Sequence, residues 1–293
     1  MFIATLIASD RLSAGDISSA RDRLAAAGCA PGEVSAIEAD KACDIWIGQG
    51  GRVARAAIED LAPGIDVIVQ AAADRRRKLI IADMDSTMIT VECIDELADY
   101  AGIKPQIAAI TEAAMRGELD FEAALRSRVA LLKGLSETII ETCLSERVVI
   151  TGGARALIRT VKAHGGFGVL VSGGFTRFAE PVAAQIGFDR AIANRLGIQD
   201  AVLDGTVVGN IVGAQTKRDT LDAVLAEQGW PVSASLAVGD GANDIPMIEA
   251  AGLGIAFHAK PKTAAAAAAS IRYNDLSALL YAMGYPKRMW ATD

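Results

Sequence analysis

Three times in this chain a short apolar run ends in a cluster of small polar or acidic residues, and that recurrence limits the available folds more than any other feature. Leu79-Ile80-Ile81-Ala82 runs into Asp83-Met84-Asp85-Ser86-Thr87, residues 168–171 into Ser172-Gly173-Gly174-Phe175, and residues 235–238 into Gly239-Asp240-Gly241-Ala242-Asn243-Asp244. An uninterrupted apolar run of this length reads as a strand buried on both faces, as in a parallel sheet. Helical spacing fills the intervals at residues 154–164, 175–186, 217–228 and 245–251, with a short-strand region near 191–208. Strands alternating with helices predict a parallel sheet covered on both faces, with its ligand site at the carboxyl ends of the strands. The three polar clusters would meet along that edge.

The first 75 residues follow a different order. Strands are expected at 2–8, near 33–38 and 44–47, and at 65–70, with helices at 16–27 and 51–61. This βαββαβ order suits a small ferredoxin-like sandwich. The charged stretch Asp74-Arg75-Arg76-Arg77-Lys78 reads as a solvated junction, dividing the 293 residues into domains at 1–75 and 76–293. Between Ile94 and Leu144, apolar positions such as Leu125, Val129 and Leu132 recur at spacings of three and four, which predicts a helical insert. The alanine run from Ala264 to Ala269, followed by Leu276, Leu279 and Leu280, reads as a C-terminal helix.

Composition removes several classes of function. Lys and Arg number 29 against 36 Asp and Glu, a net charge of −7, and only 5% of residues are aromatic. Such a surface repels polyanions and offers few stacking platforms, so no nucleic-acid partner is expected. Cys29, Cys43, Cys93 and Cys143 stand far apart with no C-x-x-C pair, and the N-terminus lacks a basic region and meets Asp10 early. Neither a disulfide framework nor a signal peptide is suggested, no apolar run reaches membrane-spanning length, and a cytoplasmic protein is expected. With only His164 and His258 available, carboxylates are the expected carriers of any chemistry.

Asp83 and Asp85, separated by one residue at a strand end, can divide duties, one facing a cation or substrate while the other uses its backbone or works from the opposite side. Asp240 and Asp244 could complete an oxygen-rich site suited to a hard cation such as Mg²⁺. The competing reading, equally weighted for any single aspartate, is that these residues cap the helices beginning there. With 22 aspartates in the chain, a D-x-D triplet alone is weak; its position after a buried strand is stronger. A calcium loop fails, because Met88 and Ile94 stand where Gly and Glu would be needed. Ser172, followed by Gly173 and Gly174, fits phosphate binding at a helix N-terminus. The rival, a nucleophilic serine elbow, would require glycine where Leu170 stands. No P-loop occurs. By pattern alone, Lys217 is a solvated surface charge.

Together these residues resemble the haloacid dehalogenase superfamily of phosphotransferases: Asp83-x-Asp85-x-Thr87 matches its first motif, Ser172 its second, Lys217 its third and Gly239-Asp240-x-x-x-Asp244 its fourth. Within it, Met84 to Ile89, Glu92, Met115, the segment from Phe121 to Leu132 with Arg128, and Ser172-Gly173-Gly174-Phe175 resemble the phosphoserine phosphatase family, from about Lys78 onward. The resemblance implies a Rossmann-like core with a helical cap at about 91–150, and an ACT-like N-terminal domain serving dimerisation, amino-acid regulation or structure alone. It implies Mg²⁺-dependent hydrolysis of O-phospho-L-serine, the last step of serine biosynthesis, by way of an aspartyl-phosphate. Asp83 would be the nucleophile, Asp85 the general acid and base, and Asp83, the Asp85 carbonyl and Asp240 the metal ligands, with Asp244 behind them. Lys217, Ser172, Gly173, Gly174 and Asn243 would hold the phosphate. Glu92 and Arg128 would grip the substrate ammonium and carboxylate, and Met115 and Phe121 would close over them. Action on another small phosphate ester, phosphoryl transfer to an alcohol, and a regulatory protein that senses an amino acid are the alternatives.

Overall fold

The computed structural model describes residues 1–73, 75–115 and 118–291, with the Met115 side chain outside the described set. Its N-terminal part contains β1 (Phe2–Ala8), α1 (Ala14–Ala26), β2 (Pro31–Glu38), β3 (Ala42–Ile47), α2 (Gly51–Ile58) and β4 (Ile65–Ala71). The four strands form an antiparallel sheet in the order β2-β3-β1-β4, the ferredoxin-like arrangement expected from the sequence. Strand alternation sorts the side chains of β1. Ala4, Leu6 and Ala8 pack with Ala20, Leu24, Ala54 and Ile58 of the helices, whereas Ile7 joins Ala42 and Ile68 in the apolar cluster of the larger domain.

The larger domain opens with β5 (Leu79–Ala82), followed by the insert α3 (Cys93–Tyr100), α4 (Lys104–Met115), α5 (Phe121–Ala130) and α6 (Thr138–Glu146). It continues with α7 (Ala154–Ala163), β6 (Phe167–Phe175), α8 (Thr176–Ile186), β7 (Arg190–Gln199), β8 (Val202–Val208), α9 (Ala214–Gln228), β9 (Ser235–Gly239), α10 (Ile245–Ala250), β10 (Leu253–Phe257), α11 (Pro261–Ala266), β11 (Ala269–Ile271) and α12 (Ala278–Ala282). The sheet order is β11-β10-β9-β5-β6-β7-β8. All neighbours are parallel except β7 and β8, which form a hairpin turning through Asp200 and Ala201, both at positive φ. Every residue of β5, β9 and β10 is buried, as uninterrupted apolar strands require.

The four insert helices form a cap joined to the sheet through a short stem, where Ile89 bridges Ile150. A second bridge, Ser136 to Val202, ties the cap to the β7–β8 hairpin. Helix α5 starts cleanly because the Asp120 side chain accepts the Ala123 amide at 2.7 Å.

Two expectations are corrected. The alanine run is not one helix: α11 ends at Ala266, and Ala269 to Ile271 pair in parallel with Ile255 to Phe257. A strand position in a buried sheet outweighs the helix preference of alanine, which is only a fraction of a kcal/mol per residue. Nor is the basic junction wholly solvated. Arg75 meets Asp44 at 2.6 Å and Arg77, 5% exposed, donates to the Ser233 carbonyl and to Gln70 Oε1. Arg76 and Lys78 remain exposed beside Tyr285 and Trp230. Asp74 lies outside the described residues.

Candidate active site

The carboxyl ends of β5, β6 and β9 lie side by side in the sheet, and each delivers its polar cluster to the same edge. Asp83 follows β5 directly, and its amide donates to the Val238 carbonyl at 3.0 Å, so its main chain is fixed by the neighbouring strand. One of its carboxylate oxygens accepts the Met84 amide at 2.8 Å and lies 2.7 Å from Lys217 Nζ. Lys217 is fully buried, and its ammonium also donates to Asp244 Oδ1 at 2.6 Å. The surface-charge reading of Lys217 is therefore overturned: α9, with Gly213 at its N-cap, places the lysine inside.

Asp83, Asp240 and Asp244 each offer a carboxylate oxygen within 4.8 Å of the others. Three carboxylates face one ammonium. Burial, and then the charge of Asp244, pushes Asp83 well above the ordinary carboxylate range; Lys217 acts in the opposite direction but does not prevail. Burial and Asp244 likewise push Asp240 up to about 6. Lys217 moves upward too, because Asp244 and Asp83 outweigh the burial that disfavours its charge. The cluster carries an excess of negative charge without enough local compensation, a state that a hard divalent cation with oxygen ligands would relieve. Asp244 already uses both oxygens, one on Lys217 and the other accepting the Gly241 amide at 3.0 Å. Asp240 Oδ1 accepts the Thr87 hydroxyl at 3.1 Å.

Asp85 is half-buried beside Gly174 and the start of α3. Its Oδ1 accepts a long bond of 3.4 Å from the Cys93 amide, and burial followed by the charge of Glu92 raises it to about 7. The missing side chain of Gly174 makes room for it: a Cβ there would lie 2.9 Å from Asp85 Oδ2 and 3.0 Å from Ser172 Oγ. Ser172, 1% exposed, accepts the Gly174 amide at 2.8 Å. Asn243 sits half-buried in the turn after Asp240, its amide over Gly241.

The cap reaches the same edge from above. Phe121 packs over Gly173 of β6 and Gly213 before α9, where a Cβ would lie 3.2 Å and 3.4 Å from its ring. Exposed Glu92 accepts the Ser86 hydroxyl at 2.6 Å, and Ser86 holds the left-handed φ of 53°. Arg128 is half-buried on α5, and its Nε donates to the Ala124 carbonyl at 3.3 Å. Burial lowers its guanidinium from the ordinary value, while Asp95, Glu92 and Asp85 act against that shift, which places this arginine within the field of the acidic site. Met115 ends α4, and its side chain lies outside the described residues. The structure thus gathers Asp83, Asp85, Ser172, Gly173, Gly174, Lys217, Asp240, Asn243 and Asp244 at one sheet edge, with Glu92, Phe121 and Arg128 facing it from the cap. Ser86, Cys93 and Asn194 take part through hydrogen bonds and were not singled out from sequence; Ser86 alone carried a signal, lying inside the first polar cluster.

Fold and site together define a class: a doubly wound α/β domain whose acidic cluster lies at the carboxyl edge of its sheet beneath a helical cap. A family model, that of the haloacid dehalogenase-like hydrolases, matches residues 80–249, and the chain belongs to this family. It is 46% identical over 202 residues to a phosphoserine phosphatase of Haemophilus influenzae, a match covering 69% of this chain and 64% of that protein. The chain thus spans under two thirds of that relative's length, and about half of the matching phosphoserine phosphatases of Streptomyces coelicolor and Mycobacterium tuberculosis, at 56% and 54%. Among solved structures, a HAD family hydrolase of Salmonella enterica serovar Typhi superposes with a TM-score of 0.82 at 29% identity, over 97% of this chain and 99% of that one. A phosphoserine phosphatase structure described as a phospho-aspartyl intermediate analogue superposes with a TM-score of 0.65 at 40% identity, over 70% of this chain and 98% of that one.

Proposed function

We propose that this protein hydrolyses O-phospho-L-serine to L-serine and phosphate, with Mg²⁺ as its cation. The observation that carries the reading is Asp83 at the end of the central strand β5, one oxygen 2.7 Å from the buried ammonium of Lys217, with Asp240 and Asp244 alongside. Asp83 attacks phosphorus in line, forming an acyl phosphate as the serine oxygen departs. Asp85, raised to about 7, gives its proton to that oxygen. It then takes a proton from the water that attacks the phosphorus and frees Asp83. Asp83 and Asp240, with the Asp85 carbonyl, would hold the cation, which neutralises charge on the transferring group when bound. Asp244, with both oxygens engaged, orients Lys217. Ser172, the Gly173 and Gly174 amides, and Asn243 hold the phosphoryl oxygens.

Glu92 pairs with the substrate ammonium and Arg128 with its carboxylate. Phe121 closes the site against water. The phospho-aspartyl analogue of the related phosphatase supports the covalent route. The reading includes a cytoplasmic location: all four cysteines are free, and among the described residues no helix is long and apolar enough to cross a membrane. The N-terminal sandwich is ACT-like on this reading and serves dimerisation or amino-acid regulation.

Phosphate release is the test, measured with L-phosphoserine, phosphothreonine and an alkyl phosphate lacking amino and carboxylate groups, each with Mg²⁺ and with chelator. Metal-dependent preference for phosphoserine is expected. Equal turnover of all three overturns the substrate assignment, and release in chelator overturns the cation.

A further inference from the structure

The ladder between β6 and β7 is regular up to Val171 opposite Ile192 and resumes at Phe175 opposite Asn194, so four residues of β6 advance against two of β7. Ser172, Gly173 and Gly174 leave the ladder in between, which is how the serine hydroxyl and the amides beside it come to face the site. A backbone that leaves its sheet must find other partners for its buried polar groups. Asn194, on β7 and 1% exposed, provides one: its Nδ2 donates to the Gly173 carbonyl at 2.8 Å. The same nitrogen donates to the Val212 carbonyl at 3.3 Å, and Oδ1 accepts the Val212 amide at 2.8 Å. Two carbonyls need donors and one amide needs an acceptor, so the orientation of the carboxamide is fixed by its surroundings.

One side chain therefore joins the turn that carries Ser172 to the loop that launches α9 and Lys217. Phe121 rests on Gly173 and Gly213, one in each of these segments, so the same pair forms the floor on which the cap closes.

The geometry points to Asn194 as a positioning residue that sets the Ser172 turn against the start of α9, so that Ser172 and Lys217 reach oxygens of one phosphoryl group. This rests on the phosphate-handling reading given above. Asn194 touches no reacting atom. An aspartate in its place can still accept the Val212 amide but opposes two carbonyls, and an alanine leaves three buried groups without partners. A misplacement of about 1 Å in such a site costs on the order of 100-fold in rate.

The test compares the full chain with its Asn194→Asp, Asn194→Ala, Ser172→Ala and Asn194→Ala/Ser172→Ala variants, in turnover of L-phosphoserine and in calorimetric affinity for inorganic phosphate. The expected result for the Asn194 variants is a loss of about 100-fold in kcat, with KM raised no more than about tenfold and phosphate affinity weakened about tenfold. The double variant should be no more than about threefold worse than the poorer single one, because coupled sites are not additive. Losses that multiply, or kcat within about twofold of the parent, overturn the assignment. If the parent binds phosphate but hydrolyses none of the esters, the functional reading fails alone, and the phosphate affinities still decide the role of Asn194. A parent that binds no phosphate overturns both. Should the Asn194 variants unfold, hydrogen exchange of the parent answers the same question. Phosphate should protect residues 172–175 and 209–213 together; protection confined to the first segment overturns the coupling.

Discussion

Two regions of this molecule bury carboxylates, and they treat them in opposite ways. At the boundary between the N-terminal sheet and the larger domain, Asp66 is fully buried and accepts the Arg272, Tyr273 and Asn274 amides and Asn274 Nδ2. Nearby, Asp44 accepts the Thr5 hydroxyl at 2.7 Å and two bonds from Arg75. At the sheet edge, by contrast, Asp83 and Asp244 share one lysine with Asp240 alongside, and burial drives Asp83 and Asp240 upward. A buried charge with a full set of donors stabilises a fold. One left in excess is costly in the free protein and gains its compensation only from what binds.

The sharpest way to break this contrast is at Asp83. Asp83→Asn should reduce phosphoserine turnover by ~10⁴-fold or more while leaving the protein folded, as read by phosphate release and thermal unfolding. Asp85→Asn, which removes the group raised to about 7, should lower kcat by about 10²–10⁴-fold. A normal turnover rate would remove Asp85 from its role. At the boundary the expected loss is in stability instead: Asp66→Ala should destabilise by about 3–5 kcal/mol in chemical denaturation, since it strands several buried donors at once.

Proton competition sharpens the same comparison. A carboxylate raised in the folded state binds its proton more tightly than in the unfolded chain. The metal-free fold therefore loses stability as pH rises from the ordinary 3.8 toward about 6 for Asp240. Divalent cations need the deprotonated forms of both Asp240 and Asp83, the latter held well above the ordinary range, so Mg²⁺ affinity should fall by at least about tenfold per pH unit below about 6, as measured by calorimetry at constant ionic strength. The smallest effect is also the most discriminating. Asp240→Asn, by removing one surplus charge, should raise the stability of the chelated protein at pH 7.5 by about 1–2 kcal/mol, whereas Asp44→Asn should lower it.

What the sequence disclosed follows from how local each feature is. The apolar runs and the polar residues that end them are continuous in the chain, so the parallel sheet, its polar edge and the placement of Asp83, Asp85, Ser172 and Asp240 along it could be read directly. By pattern alone Lys217 could not be distinguished from a surface lysine, because its burial depends on how α9 meets the strand ends, and only the family resemblance marked it. Arg75 and Arg77 read as solvated, since only the docked N-terminal sheet supplies Asp44 and Gln70. Asn194 carried no signal: one polar residue among several in β7 becomes meaningful only once β6 leaves its ladder. The end of the alanine run was hidden for a similar reason, its strand being created by the pairing of Ala269 with Ile255.

Ile7, Ala42 and Ile68 of the N-terminal sheet share one continuous apolar cluster with Ile80, Ala82 and Leu170 of the larger domain. Although the strands belong to two separate sheets, melting should therefore follow a single cooperative transition, because neither half can open without wetting the other. A protease cut near residue 73 would leave both fragments with an adhesive face, and nicked protein should stay associated through gel filtration or aggregate when forced apart.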